Sequence, residues 1–121
     1  MKILNCILSL CITAVMATSV CTARDIYVSA DAAAGGNGEQ RTPFRSLTEA
    51  RDFIRSIRRA NESEGIDAVI VHIGDGVYRL DASFELTPED SGTAEAPVTW
   101  RAEHSGQARI HGGYALDAQA F

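Results

Sequence analysis

The chain has 121 residues, room for one domain at most, and a formal charge of −5. An acidic balance with no clustered basic surface beyond one helix face argues against nucleic-acid binding, which needs cations to neutralise phosphates. The three cysteines all lie before residue 22, so the rest of the chain has no disulfide, thiolate metal site or cysteine nucleophile to draw on.

The first 23 residues are read as a secretory signal peptide. Lys2 supplies a short positive region, "ILNCILSLCITAVMA" the apolar stretch, and Cys21-Thr22-Ala23 a small-x-small cleavage pattern before Arg24. The apolar run is interrupted by Asn5, Ser9 and Thr13 and falls short of the roughly 20 residues of a membrane span. A lipid anchor on Cys21 would want a small residue before it, and Val20 stands there. Cleavage removes Lys2 alone among charged residues, which takes the charge from −5 to −6. The expected destination is the periplasm or the exterior, with no membrane contact by the mature form.

From Arg24 the elements run in order. "DIYVSAD" is expected to be a strand with Ile26 and Val28 on one face and Tyr27 on the other. "AAAGGNGEQRTPF" reads as a surface loop; Gly35, Gly36 and Gly38 have neither the spacing nor the Lys-Ser/Thr pair of a phosphate loop. Ser46-Leu47-Thr48-Glu49 is a capping box, with Ser46 accepting from the Glu49 amide and Glu49 reaching back to the Ser46 amide. It opens a helix whose stripe is Leu47, Ala50, Ile54 and Ile57, with Phe53 beside it and Gly65 as its stop. Arg51, Arg55, Arg58 and Arg59 lie off the stripe and are expected to form a solvated face, partly neutralised by Asp52 and Glu62.

Beyond Gly65 the period changes. "AVIVHI" (68–73) is expected to be a strand covered on both sides, followed by a "GDG" turn. "VYRL" (77–80), "FEL" (84–86), "VTW" (98–100) and "ARIHG" (108–112) read as further short strands, with turns at Pro88, Ser91-Gly92, Pro97 and Ser105-Gly106. Periodicity alone leaves a sandwich and a solenoid both open.

Taken together, "IYVSAD", "TPFRSLTEARDFIR", "VIVHIGDGVYRLDASFEL" and "TPEDSGTAEAPVTWRAEHSGQARIHGG" resemble the N-terminal region of secreted right-handed parallel β-helix proteins. These form the pectin-lyase-like group of glycoside hydrolases and polysaccharide lyases. The resemblance runs from about Ile26 to Gly113. It implies a mainly β fold: an N-terminal cap over residues 24–66 (strand, Gly-rich loop, amphipathic helix), then the first one or two coils of a β-helix over 67–121, truncated. It also implies a polysaccharide or glycan as partner when the whole solenoid is present. Oligomeric state stays open. The family's catalytic carboxylates lie on later coils, so no catalytic, cofactor-binding or metal-binding residue is assigned, and the chain by itself is expected to be inactive.

The remaining chemistry-bearing residues have plainer explanations. Glycosidases need two carboxyl groups about 5 to 9.5 Å apart. Among Asp75, Glu89, Asp90 and Glu95, the adjacent pair sits in turn-forming sequence beside Pro88, and Asp75 lies between two glycines. His72, His104 and His111 lack a metal-ligand spacing, and no nucleophile elbow accompanies them. Asp31 and Asn37 could offer oxygens to calcium but lack the ligand density of a calcium loop. Trp100 and Tyr78 could stack on sugars, but within strands they are expected to pack. Asn61-Glu62-Ser63 is a glycosylation sequon in a eukaryotic host. Two other readings stay open: a non-enzymatic β-helix module, adhesive or carbohydrate-binding, and a self-contained small domain that binds another chain.

Overall fold

The computed structural model describes residues 23–61, 67–113, 116, 117 and 119. Residues 1–22 of the segment read as a signal peptide, and the expected helix stop Gly65, lie outside the described residues. Strand β1 spans Arg24–Val28, helix α1 Leu47–Ala60, β2 Val69–Ile73, β3 Gly76–Arg79, a single 3₁₀ turn Pro88–Asp90, β4 Val98–Ala102 and β5 Ala108–His111. All the pairing between strands is parallel, in two sheets of order β1-β2-β4 and β3-β5. The described residues are thus mainly β, with one α-helix.

The two sheets share a rhythm. After β2 the chain bends at Gly74-Asp75 into β3; after β4 it bends through 103–107 into β5. β4 lies beside β2 with Val69 opposite Val98, and β5 lies beside β3 with Gly76 opposite Ala108. A strand–bend–strand unit is therefore laid in register beside its successor.

Alternation along β1 and β2 decides what is inside. Ile26, Val28, Val69 and Val71 point one way and are buried; Tyr27, Ile70 and His72 point the other way. Leu47, Ala50 and Ile54 of α1 close over the inward face with Phe44 and Tyr78. Each fully buried aliphatic side chain contributes about 1.5–3 kcal/mol of transfer free energy, which is how this small domain forms a core without disulfides. The strand 68–73 is covered unequally on its two sides: Val69 and Val71 are fully buried, whereas Ile70 and His72 on the other face are partly buried, the His72 side chain 11 % exposed.

Helix α1 begins as its sequence dictates, with Ser46 Oγ accepting from the Glu49 amide at 3.2 Å. The return bond differs in one residue. Glu49 Oε2 accepts from the Arg45 amide at 3.0 Å rather than from Ser46, so the box closes on the residue before the cap. The helix ends at Ala60, with the Asn61 amide bonded to the carbonyls of Ile57 and Arg58.

Phe84-Glu85-Leu86 is not a strand. Three residues of alternation are too few to select a ladder partner. This stretch is held by side chains instead: Phe84 meets Trp100 edge-on at 5.5 Å, and Arg51 donates to the Glu85 carbonyl at 3.1 Å.

Candidate functional site

The arginines of α1 are only in part a solvated face: Arg59 is 68 % exposed and Arg51 pairs with Asp52 at 2.8 Å as expected, but Arg51, Arg55 and Arg58 are partly buried. At helical spacing, Arg51, Arg55, Arg58 and Arg59 all reach the same crossing segment, residues 84–90. Arg51 lies over the Phe84 ring at 5.6 Å. Arg55 donates from Nε and Nη2 to the two oxygens of Asp90, each at 2.7 Å, and also lies 3.2 Å from Glu89. Arg58 donates to the Glu89 carbonyl at 2.7 Å, and Arg59 reaches the Glu89 carboxylate at 3.4 Å. The face is a clasp between the helix and the 3₁₀ turn.

Asp90 is the centre of that clasp. Its side chain is 3 % exposed and accepts from the Thr87 amide and hydroxyl as well as from Arg55. The hydrogen bond and charge of Arg55 hold the Asp90 carboxyl well below the usual carboxylate range, outweighing the cost of burial, and the same pairing raises Arg55. Both Glu89 and Asp90 lie in the 3₁₀ turn Pro88–Asp90, as the turn-forming reading has it, and Asp90 is taken up by Arg55 and Thr87.

The other polar cluster lies on the partly buried outer face of the three-stranded sheet. In-register pairing places Tyr27, His72 and Arg101 in one row. The Tyr27 and His72 rings stack at 4.7 Å and 12°, and His72 Nε2 lies 2.8 Å from Asp25 Oδ1. Just past the ends of these strands, Asp75 lies 3.0 Å from His104 Nδ1, and both are exposed. A shallow cleft of about 310 Å³ opens here between Tyr27, Ser29, Gln40, Pro43, Asp75 and Glu103. It can offer hydroxyl, amide and carboxylate partners beside one aromatic ring, the mixture that suits a polar, hydroxyl-rich ligand.

The remaining sequence candidates stay apart. Glu95 is exposed on the loop before β4, and His111 ends β5. Among the described residues, no three His, Cys, Asp or Glu side chains come together as a metal site. Asn37 Oδ1 accepts from the Glu39 amide and the Thr42 hydroxyl, so it organises its own loop. Trp100 and Tyr78 pack with the core, as their strand positions suggested. The Tyr78 hydroxyl sits 2.8 Å from the Gly74 carbonyl and 3.1 Å from that of Val28, donating to one at a time; burial pushes its pKa up. Of the sequon only Asn61 is described, exposed at the end of α1. No described helix is long and apolar enough to cross a membrane.

The row Tyr27–His72–Arg101 escaped sequence reasoning, because its members are 45 and 29 residues apart and meet only through strand register. The arginine clasp was equally hidden, although four arginines on one helix were a visible signal.

No protein-family model matches the sequence, and no curated protein matches it. Among solved structures, a chain described as "Glycoside hydrolase" has a similar fold, with a TM-score of 0.64 and 23 % identity. The similarity covers 79 % of this chain and 17 % of that one. The chain therefore corresponds to less than a fifth of the length of the glycoside hydrolase it matches, and at this identity the likeness is one of fold.

Proposed function

We propose that this chain is the N-terminal part of an exported protein that acts on polysaccharide, built as a right-handed parallel β-helix of the glycoside hydrolase class. The observation that carries the reading is the fold likeness to a minor part of a glycoside hydrolase. The parallel strand–bend–strand units laid in register support it, because that is how a β-helix begins. In this reading β1, the 37–44 loop and α1 cap one end, and β2-β3 and β4-β5 are the first two rungs. The clasp of α1 on residues 84–90 ties the cap to the connection between the rungs. The part described here supplies structure, and the chemistry belongs to later rungs.

The assigned work of the candidate acids favours that division. Asp90 is locked in an ion pair, Glu89 shares in it, and Asp75 pairs with an exposed histidine. The same facts also favour the second reading, a non-enzymatic carbohydrate-binding module, for which the cleft beside Tyr27 is the natural contact.

The test is an assay of reducing-end release from plant and microbial polysaccharides, with this chain alone and with the longest open reading frame that contains it. Release by the long product and none by this chain is expected. Release by this chain alone would contradict the structural role. Glycan binding by the long product without any cleavage would favour the module. Products with an unsaturated end would point to a lyase instead of a hydrolase.

A further inference from the structure

The cleft of about 310 Å³ beside Tyr27 has walls from three parts of the chain. Tyr27, Val28 and Ser29 form one at the end of β1, and Gln40 and Pro43 form a second. Gly74, Asp75 and Glu103, in the bends after β2 and β4, form the third. Backbone bonds fix all of them. The Phe44 amide donates to the Tyr27 carbonyl at 2.9 Å and the Ser29 amide to that of Phe44 at 2.8 Å, which seats the loop on β1. The Gly74 amide donates to the Val28 carbonyl at 2.8 Å, and the Glu103 amide to that of Ile73 at 2.9 Å. A ligand therefore meets groups already in place, which lowers the ordering cost of binding.

Three polar side chains of the lining have no other partner. Among the described residues, Ser29, Gln40 and Glu103 make no side-chain hydrogen bond or ion pair within the protein. They supply a hydroxyl, a carboxamide and a carboxylate, which between them accept from and donate to the hydroxyl groups of a sugar. Glu103 leans back over the first bend: a Cβ built on Gly74 would lie 3.6 Å from Glu103 Oε2. Asp75 is engaged by His104 at 3.0 Å.

The charge of the lining is one-sided. Asp75 and Glu103 belong to it, and no lysine or arginine does. The floor feels that charge: the pKa of the Tyr78 hydroxyl, raised chiefly by burial, is raised further by Glu103, Asp31 and Asp75. An acidic ligand would bring like charge against Glu103 with no cation of the lining to answer it. The volume is at the lower end of small-ligand sites, so it suits one ring and not a length of chain.

We propose that this cleft is a subsite for a single sugar ring bearing no acidic group, so that the glycan it selects is neutral or amino-substituted and not a uronate polymer. The inference rests on the reading of the protein as one that acts on polysaccharide, and it narrows the class of polysaccharide.

The experiment is saturation-transfer NMR on the purified chain and on the longest open reading frame that contains it. The probes are glucose, glucosamine and glucuronate, and the matching galactose series. In at least one series the neutral and amino sugars should bind with Kd on the order of millimolar. The uronate of that series should bind about tenfold more weakly or worse. Glu103→Gln, a change at an exposed position, should remove most of that discrimination, and Gln40→Ala should weaken all three sugars alike. Circular dichroism establishes that the variants fold, and amide shifts at Ser29 and Asp75 on titration of the wild type locate the site without any variant. A uronate bound as well as its neutral parent would overturn the proposal, as would no binding by any neutral or amino sugar. So would a folded Glu103→Gln that keeps full discrimination, or shifts confined to other parts of the chain. Cleavage by the long product without sugar binding in this cleft would sink the subsite alone. A long product that neither cleaves nor binds glycan would sink the polysaccharide reading itself.

Discussion

Arg55 holds both oxygens of Asp90 through two bonds of 2.7 Å, and in doing so fastens the middle of the helix to a turn 35 residues further along the chain. Paired fork geometry of this kind is directional as well as strong, and it places the turn at one height along α1. Asp90→Ala strips the turn of its cap on the Thr87 amide and leaves Arg55 without its partner. Hydrogen bonds to a charged group contribute roughly 1.5–3 kcal/mol, so the loss should be at least about 2 kcal/mol in urea denaturation. Arg55→Lys should lose less, since it keeps the charge but not the fork. An unchanged midpoint in Asp90→Ala would mean the clasp is decorative.

The same pair sets the acid limb of stability. Asp90 is held ionised well below the range of a free carboxyl, near 4. Its contribution is therefore complete above pH of about 4 and is lost as pH falls through the depressed native value. Urea midpoints measured from pH 7 down to pH 2 should fall more steeply for the wild type than for Asp90→Asn below pH of about 4. Parallel curves would refute the assignment.

Tyr78 predicts the alkaline limb. Burial raises its pKa in the folded state, so its stabilising effect is intact below the free value of about 10 and is lost as pH rises through the native one. Tyr78→Phe should cost about 1 kcal/mol at neutral pH, through the lost bond to Gly74 or Val28. It should also flatten the fall in stability above pH 10. A variant as alkali-sensitive as the parent would place the responsible group elsewhere.

Ile54 tests the packing of the helix on the sheet. It is 1 % exposed and faces the inward residues of β1 and β2. Ile54→Ala should cost about 2–5 kcal/mol by calorimetry or denaturant titration, and Ile54→Val about 0.5–1.5. Near-equal effects of the two would show that the site collapses around the cavity.

The loop makes its own demand. Gly38 has φ of +83° and lies against Phe44, so Gly38→Ala meets both backbone strain and a clash. Gly35 has φ of +85° with open space beyond it. Gly38→Ala should therefore destabilise more than Gly35→Ala, by an added overpacking cost of about 1–3 kcal/mol. Thermal midpoints in the reverse order would argue against a packed loop.

What could be read in advance was local. Ser46 and the stripe Leu47, Ala50 and Ile54 announce a helix because cap and periodicity are properties of a few adjacent residues. Ile26 and Val28 announce an inward face for the same reason. Glu89-Asp90 could be read as a turn, but its arginine partners could not, since no periodicity links residue 55 to residue 90. The loop 36–44 looked like an exposed turn because its composition says glycine and not what the glycines approach. The sheet row at Tyr27, His72 and Arg101 needed the strand register, which two parallel ladders supply and single-strand alternation does not.

Parallel pairing also governs how the domain must assemble in time. Arg24 meets Val69, 45 residues away, and Val69 meets Val98, 29 residues away; no strand can pair with its neighbour across a short hairpin. Each ladder waits for a long segment to be gathered in, and the entropy of that closure is spent before any bond rewards it. Among the described residues, helix α1 is the one sizeable element that can form from nearby contacts. Folding should therefore be slow for so small a body, on the order of milliseconds to seconds. Until those segments are gathered in, the strand edges stay unmatched, and the order in which they find each other decides how the domain folds.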